Sequence, residues 1–460
     1  MELRLLAALV VNAAVLLFAH RFALRRLGGE LISRAVDTFL IYYLVQYIVI
    51  GALGMAGVLA PATIGAAALL ISALLWTVAK PRRPKFVTAP PLQLRDSLFI
   101  GAGFLFVLGF VGAVVHYYRL TVPLANDAII YHIPAAGQWL RTGRLGLFET
   151  WFFNPANTYS PLAGSIFIAW LMAPFRSDIA ARFVEVGPLL MIFWAMLDLS
   201  RRIGASARIA TLIAAAAVLA RPFISHVNLA KDDLFVAAFF LAAVTALTTR
   251  RETNPNSRRT TSAGPPTARE SAPQQDAPRE RGGEKILLTA RESGSSPFWS
   301  SLRAGVAIGL MLATKYTALM TLPLLLLVID APFRAGWRWR HFMISAAIVA
   351  LLAGPWYLRN LLITGNPLYP TDVSFAGVRI FDGMMTVTRS DRLVGLRAGW
   401  DVMTTGYYPM PMLGMVVLLV GWSFAWRHAR RLETDALLRV VLIGGPLGIA
   451  IFLLTSPYAE

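Results

Sequence analysis

Apolar runs close to the length of a bilayer crossing recur along most of the chain, and short arginine-rich segments separate them. A membrane-spanning helix needs about 20 consecutive, mostly apolar residues. The pattern therefore predicts an all-α polytopic integral membrane protein with about twelve transmembrane helices. The first run, Leu5 to Ala19, has no small-residue cleavage site and precedes the basic segment "HRFALRR". This favours a retained anchor over a removed signal peptide.

Basic segments between the apolar runs predict the topology, because loops on the cytoplasmic side of a membrane carry an excess of Lys and Arg. We expect six such segments to be cytoplasmic: 21–34, 80–85, 201–208, 250–303, 334–340 and 426–431. Two cytoplasmic flanks require an even number of crossings between them. The middle of each apolar region must therefore reach the opposite, outer side.

Turn-forming and charged residues mark where the chain returns on the outer side. Residues 34–80 have room for two crossings, with a turn near 57–61. Lys231, Asp232 and Asp233 each cost about 3 kcal/mol at the centre of a membrane helix. We therefore expect this charged triplet at the turn between two short crossings.

Other apolar runs have a length or a charge that does not fit a simple crossing. Lys315 interrupts the run from 304 to 331, which predicts two short crossings that meet at Lys315. A single tilted helix with a buried lysine is the alternative. The run 161–175 is too short to span and is predicted as an interfacial helix in the first large outer loop. A final pair of crossings is expected near 410–426 and 437–454.

These features divide the chain into four regions. The segment from 251 to 300 is rich in Pro, Ser, Arg, Gly and Gln, which is typical of disorder. The predicted regions are N-terminal membrane spans (1–95), a membrane core with an outer loop at 118–160 (96–250), a disordered cytoplasmic insertion (251–300) and C-terminal spans with an outer loop at 356–410 (301–460).

Composition removes several classes of function. The formal net charge is +18, but the arginines lie in loops, so we attribute it to topology and expect no nucleic-acid partner. The chain has no cysteine, which excludes disulfides and thiolate chemistry. It also contains no GxxxxGK[ST] phosphate loop and no HExxH zinc motif. A substrate must therefore arrive from the membrane or from the outer compartment.

The parity argument places a set of ionisable residues together on the outer side, each near the end of a span. These residues are Asp127, His132, Asp232, Asp233, Lys315 and Arg359.

Four motifs carry these residues in order: "NDAIIYHIPAAGQWLRTGRL", "KDDLFVAAFF", "GLMLATKYTALMTLP" and "PWYLRNLLITGNPLYP". Over roughly residues 95–455 the sequence resembles the multi-span family C (GT-C) glycosyltransferases. The resemblance is strongest to bacterial relatives of protein mannosyltransferases and of the Rgt-type lipopolysaccharide glycosyltransferases. It implies transfer of a sugar from a polyprenyl-phosphate carrier, generally with inversion, to a cell-envelope glycan, lipid or protein. It also implies a bacterial inner-membrane location, membrane-lipid contacts and a catalytic 118–160 loop facing the periplasm or exterior.

The resemblance also implies roles for the acidic motifs. Asp127 matches the first acidic motif and is expected to act as general base on the acceptor hydroxyl; a helix N-cap is the alternative. Asp232 and Asp233 match the second, where they orient the acceptor or help to bind a divalent ion, with a Lys231 salt bridge as the alternative. No cofactor is certain, but Mg²⁺ or Mn²⁺ remains open, with Asp127, His132, Asp232 and Asp233 as candidate ligands.

The remaining candidates concern the donor and the sugar. Lys315 matches the family's "TK" motif and is expected to bind the donor phosphate, helped by Arg359; contact with lipid headgroups is the alternative. Tyr131, Trp139 and Tyr159 are candidate substrate contacts. For the aromatic residues of this loop, which include Trp151, Phe152 and Phe153, anchoring at the membrane interface is the alternative.

Two other functions stay open at this point. A transporter or lipid flippase places its ionisable residues near the bilayer midplane, and a non-catalytic scaffold uses them as caps and salt bridges. The chain ends in "LLTSPYAE", just past a predicted span. The resembled enzymes continue there through an "RY"-containing turn, so a truncated chain or a partner segment is one interpretation.

Overall fold

The computed structural model describes residues 2–27, 31–78, 93–118, 126–148, 156–248, 296–375 and 378–384, together with Ile443. Several predictions fall outside these residues: those for Trp151, Phe152 and Phe153, for most of the 251–300 insertion and for the crossings after residue 410.

Helices dominate the described residues. The α-helices are α1 (Glu2–Phe22), α2 (Leu31–Ala56), α3 (Pro61–Val78), α4 (Leu94–Tyr118), α5 (Ile133–Thr142), α6 (Ala156–Tyr159), α7 (Ala163–Met172), α8 (Val186–Arg202), α9 (Ala207–Leu219), α10 (Arg221–Ile224), α11 (Asp233–Leu247), α12 (Pro297–Thr314), α13 (Leu322–Leu325), α14 (Asp330–Arg334) and α15 (Trp339–Thr364). Ala23–Leu27 and Ala128–His132 are π-helical, and Asp178–Phe183, Ser225–Asn228, Tyr316–Thr321 and Leu326–Val328 are 3-10 helical.

Six helical segments in the described part are long and apolar enough to cross a membrane. They are Glu2–Arg25, Leu31–Met55, Pro61–Val78, Leu94–Tyr118, Asp178–Arg202 and Trp339–Thr364. The prediction of a mostly helical chain with several span-length apolar helices is therefore confirmed. The total of about twelve crossings stays a prediction, because α9 and α11 have only 13 and 15 residues.

The first predicted turn has the expected chemistry. Gly57 takes a left-handed conformation (φ 76°) just after α2, and α3 begins at Pro61. Glycine readily adopts positive φ, and proline is favoured in the first turn of a helix, where its missing N–H is not needed. The predicted turn near 57–61 is thus confirmed.

Helix α7 lies inside the protein, which corrects the prediction of an interfacial helix for 161–175. All of its residues except Leu171 are buried. The Phe167 ring stacks on Phe235 of α11, with 4.5 Å between centroids, and lies 5.1 Å from the ring of Tyr43 in α2. A helix that is apolar on every face belongs in a core, and α7 has no polar face to turn to water.

Small residues bring α12 and α15 close together. A Cβ atom on Gly305 would lie 2.9 Å from the Ser345 carbonyl oxygen, and one on Gly309 would lie 3.0 Å from the Leu352 Cβ. Glycines spaced four apart lie on one face of a helix and let two backbones approach, as in many membrane helix pairs. This contact fixes α12, which carries Lys315 at its C-terminal end.

Polar contacts join helices α2, α8, α11 and α12 at the end away from Lys315. Arg202, in the last turn of α8, donates to the Thr245 carbonyl oxygen of α11 at 2.7 Å and pairs with Asp198 at 2.6 Å. Near the start of α12, Arg303 lies 2.6 Å from the carboxylate of Asp37 in α2. The Ser33 hydroxyl near the start of α2 also donates to Asp198 Oδ1 at 2.9 Å. The ends of α8 and α11 and the starts of α2 and α12 therefore lie together, as parity predicts for Arg202 and Arg303.

The two loops predicted to face the outer side are more structured than expected. Helix α15 continues through Pro355 to Thr364, so the second of these loops begins at 365 and not at 356. An antiparallel hairpin follows, with β1 (Val373–Phe375) and β2 (Val378–Phe381). The first of the two loops contains α5, because the segment after His132 has good helix formers and a proline in the first turn.

Candidate functional site

The ends of three helical segments bring the predicted acids and the lysine to one place. Asp127 directly precedes the π-helical turn Ala128–His132, and Asp232 directly precedes α11, whose first residue is Asp233. Lys315 follows α12 in an extended conformation. The predicted interruption of the 304–331 run at Lys315 is therefore confirmed, and the single continuous helix is wrong.

Lys315 lies among three carboxylates. Its Nζ donates to Asp233 Oδ1 at 2.9 Å and lies 3.6 Å from Asp232 Oδ1 and 4.0 Å from Asp127 Oδ2. The Nζ of Lys231 lies 3.5 Å from the same Asp127 oxygen. We call Asp127, Lys231, Asp232, Asp233 and Lys315 the aspartate–lysine cluster.

The cluster carries an excess of negative charge. Three carboxylates face two ammonium groups, which leaves a formal charge of −1 when all five groups are ionised. Burial lowers the pKa of Lys315, but the carboxylates of Asp232 and Asp233 outweigh it, and the pKa is raised well above its usual value. Lys315 is thus cationic at any physiological pH.

A buried histidine, His132, lies next to Asp232 on the buried side of the cluster. His132 Nδ1 lies 2.9 Å from the Ser165 hydroxyl of α7, and its Nε2 lies 3.5 Å from Asp232 Oδ1. Asp232 and His132 are both 1% exposed. Gly164 leaves the room for Asp232, since a Cβ there would lie 2.3 Å from the Asp232 Cβ. His132 Nε2 and Asp232 Oδ1 are too far apart for a hydrogen bond, so close packing around Gly164 is what confines this carboxylate.

The rest of the cluster is accessible. The side chains of Asp127 and Asp233 are 35% and 38% exposed. His226, from the 3-10 turn before α11, lies with its Nε2 3.6 Å from Asp233 Oδ2. Ala230, between this turn and the acids, has a positive φ of 50°, an uncommon conformation for a residue with a Cβ that often marks functional turns. The cluster therefore has a buried floor and an open rim.

Tyr131 lies at the buried side of the cluster. Its ring is tilted against the His132 ring with 4.2 Å between centroids. Burial raises the pKa of Tyr131 well above its usual value, while the charge of Lys315 acts in the opposite direction. The phenol therefore stays protonated and can serve only as a neutral hydrogen-bonding group.

The predicted roles of Arg359 and Tyr159 meet at one backbone carbonyl. The Tyr159 carbonyl oxygen accepts hydrogen bonds from Arg359 Nη2 at 2.9 Å, Asn360 Nδ2 at 2.7 Å and the Tyr316 hydroxyl at 2.9 Å. The ring of Tyr159 also contacts Tyr369, 4.8 Å away between centroids. We call this the Tyr159 junction. It ties α15 and the outer loops to the residue that follows Lys315.

This geometry changes the expectation for Arg359. Its guanidinium bonds the carbonyl oxygens of Thr158 and Tyr159 and the Asn360 side chain. Within the described residues, Arg359 forms no ion pair with the three carboxylates that surround Lys315. The arrangement favours a structural tie over the predicted contact with a donor phosphate.

Trp139 is placed in the core. Its side chain is 1% exposed, and its indole N–H donates to the Gly146 carbonyl oxygen at 3.0 Å. A buried indole with a satisfied N–H is a packing residue. This placement does not support the predicted substrate contact, because the ring is enclosed by protein. Sequence periodicity and composition do not distinguish a buried aromatic residue from one that lines a binding site.

Three narrower alternatives can be compared with the described geometry, whereas the ion pairs of the cluster are equally compatible with a scaffold. Asp127 precedes a helical turn, yet its side chain makes no capping hydrogen bond. Lys231 pairs with Asp127, far away in the chain, and not with the adjacent Asp232 or Asp233. Lys315 is 22% exposed and pairs with three carboxylates, so its ammonium group is held beside the acids.

The donor set does not fit a divalent ion in the observed arrangement. No group of three His, Asp or Glu side chains in the described segments is arranged to hold a metal. The Lys315 ammonium occupies the position between the carboxylates where a cation would be bound. We therefore derive no step through Mg²⁺ or Mn²⁺, and a metal requirement stays a prediction.

Sequence reasoning missed several residues that build the site. His226 faces Asp233, Ser165 faces His132, and Asn360 joins the Tyr159 junction. Glu185 accepts a hydrogen bond from the Leu234 N–H at 2.9 Å. A carboxylate within a span-length apolar segment is costly, and that cost was the available signal for Glu185.

Gly164→Ala should destabilise the packing around Asp232. The new methyl group would overlap Asp232, so Asp232 must move away from His132 and Lys315. Gly137→Ala in α5 is the matched control, because its Cβ would meet only Met172 Cε at 3.9 Å. We expect a lower midpoint of thermal unfolding in the first variant and the native midpoint in the second. Equal midpoints would show that Asp232 is not tightly packed against Gly164.

Comparison of the chain with family models, curated proteins and solved structures finds no match. The resemblance to family C glycosyltransferases therefore depends on the four motifs.

Proposed function

We propose that this chain is a membrane glycosyltransferase that moves a sugar from a polyprenyl-phosphate carrier to a hydroxyl group of a cell-envelope acceptor. The observation that carries the proposal is the convergence of Asp127, Asp232, Asp233 and Lys315 at the ends of separate helices. A base and a cation held a few ångströms apart are what transfer from a phosphate-linked donor needs.

In the proposed reaction, Asp127 is the general base. An acceptor hydroxyl loses its proton to the Asp127 carboxylate while its oxygen attacks the anomeric carbon of the sugar. The bond between that carbon and the phosphate oxygen breaks, and the electron pair leaves with polyprenyl phosphate. Attack opposite the leaving group inverts the anomeric configuration.

Asp127 suits this role better than its neighbours. Asp233 is also accessible, but its Oδ1 accepts a 2.9 Å hydrogen bond from Lys315. Asp232 is buried. Asp127 has only longer contacts to ammonium groups, at 3.5 and 4.0 Å, so its carboxylate is the one placed to accept a proton from an entering hydroxyl.

Lys315 is proposed to bind the donor phosphate and to stabilise the phosphate that leaves. A cation beside a developing negative charge lowers the barrier more than in water, because the site is partly closed to solvent. Asp232 contacts the lysine from the buried side, and His132 lies behind Asp232.

The proposed setting is a bacterial inner membrane, with about twelve crossings and the cluster at the outer face. Arg202 in α8 and Arg303 in α12 support this orientation, since both lie at the end of these helices opposite the cluster. A lipid-linked donor then reaches the site from the membrane, and the acceptor from the periplasm or exterior.

The test is sugar transfer by the purified full chain in liposomes. A panel of polyprenyl-phosphate hexoses with labelled sugars is supplied together with a cell-envelope extract. We expect chain-dependent loss of the donor, release of polyprenyl phosphate and label in the acceptor fraction. Movement of intact donor between leaflets without cleavage would indicate a flippase instead. Binding without either process would indicate a scaffold.

A further inference from the structure

Glu185 is a buried carboxyl group that the proposed chemistry does not use. Its residue is 0% exposed, and it lies immediately before α8. Oε1 accepts the Leu234 N–H at 2.9 Å, and Oε2 has no hydrogen-bond partner within the described segments. Such a group is costly to bury, so a compensating role is expected.

The first turn of α11 shows what that role is. The first four N–H groups of a helix have no partner within the helix, and an Asp at the N-cap usually binds one of them. Asp232 is at the N-cap of α11, yet its side chain makes no capping hydrogen bond. Its carboxylate faces His132 and Lys315 instead.

We propose that Glu185 is a positioning residue that caps α11 from a neighbouring helix, so that Asp232 and Asp233 can hold Lys315. Leu234 directly follows the two acids, so the 2.9 Å bond fixes the backbone that carries them. Without this acceptor, Asp232 would be the nearest group able to bind the exposed N–H groups. It would then turn away from Lys315. The effect on turnover rests on the function proposed above.

The experiment compares two substitutions of similar length. Glu185→Gln keeps an acceptor oxygen for the Leu234 N–H, whereas Glu185→Met fills the same space without one. Hydrogen exchange of the purified full chain, read by mass spectrometry on peptides that contain Leu234, reports the capping bond directly. We expect about fivefold faster exchange in the Met variant and the native rate in the Gln variant.

Should the Met variant fail to fold, Glu185→Asp serves in its place. This change keeps the carboxyl group but withdraws it by one methylene, so the same faster exchange is expected. Native exchange in the Met and Asp variants would overturn the proposal. So would equal acceleration in the Gln and Met variants, because the acceptor oxygen would then be irrelevant.

Transfer assays on the same proteins test the consequence for turnover. We expect kcat to fall about tenfold in the Met variant and to be restored in the Gln variant, with the donor KM changed less than kcat. If the unmodified chain transfers no sugar, the proposed function fails. The exchange result still decides whether Glu185 caps α11.

Discussion

Asp127→Asn should abolish sugar transfer while donor binding persists. Asparagine keeps the size of the side chain and one oxygen, but it cannot accept the proton of an acceptor hydroxyl. General base catalysis contributes about 10²- to 10⁴-fold, so we expect kcat to fall about 10³-fold. The measurement is initial transfer rate at saturating donor, together with donor affinity for each protein.

Asp330→Asn is the matched control for this variant. Asp330 is similarly exposed, at 31% against 35% for Asp127, and it also pairs with a basic side chain. Lys231→Gln separates the base from its ion pair, because it removes the ammonium 3.5 Å from Asp127 and leaves the carboxylate. We expect no change in the first control and a small change in the second. Full turnover in Asp127→Asn would remove Asp127 from the mechanism.

Lys315→Met should weaken binding of the lipid donor by more than about tenfold, since the donor phosphate loses its cation. The variant also leaves three carboxylates facing one ammonium group, so we expect a lower midpoint of thermal unfolding. The two effects are measured separately, by donor binding to the solubilised protein and by thermal denaturation.

A double variant distinguishes binding from stability. Lys315→Met combined with Asp233→Asn removes both partners of the 2.9 Å hydrogen bond. The lost charge balance is then restored, so stability should recover relative to the single Lys315 variant. Donor affinity should stay low. Unchanged affinity in either protein would mean that the phosphate binds elsewhere.

The sequence predicted where helices are interrupted better than it predicted which distant residues contact each other at these positions. Lysine and aspartate are costly inside a membrane helix, so helices were expected to begin or end at Lys315, Asp232 and Asp233. The structure has α12 ending before Lys315 and α11 beginning at Asp233. Parity then placed them at one end of the bundle with Asp127. Local cost and chain direction were sufficient for that much of the site.

Contacts between distant segments could not be predicted in the same way. Glu185 binds the N–H of Leu234, and His132 faces Ser165, because of how α7, α8 and α11 pack. Arg359 turns to the Tyr159 carbonyl for the same reason. None of these choices leaves a period or a spacing in the sequence.

Helix α7 shows a second limit. Its sequence is apolar on all sides, and a short apolar run in contact with lipid looks the same in composition as one in contact with protein. The position inside the bundle depends on the large aromatic residues of α2 and α11 that surround it, including Tyr43 and Phe235.

In the proposed transfer reaction, the surplus of one carboxylate over the ammonium groups favours release of the product. A sugar-bearing phosphodiester carries one negative charge, whereas the polyprenyl phosphate left after transfer carries nearly two at neutral pH. While Asp127 holds the captured proton, the five groups carry no net charge and do not repel this product. Loss of that proton to water restores the net charge of −1, and the resulting repulsion favours release of polyprenyl phosphate into the bilayer.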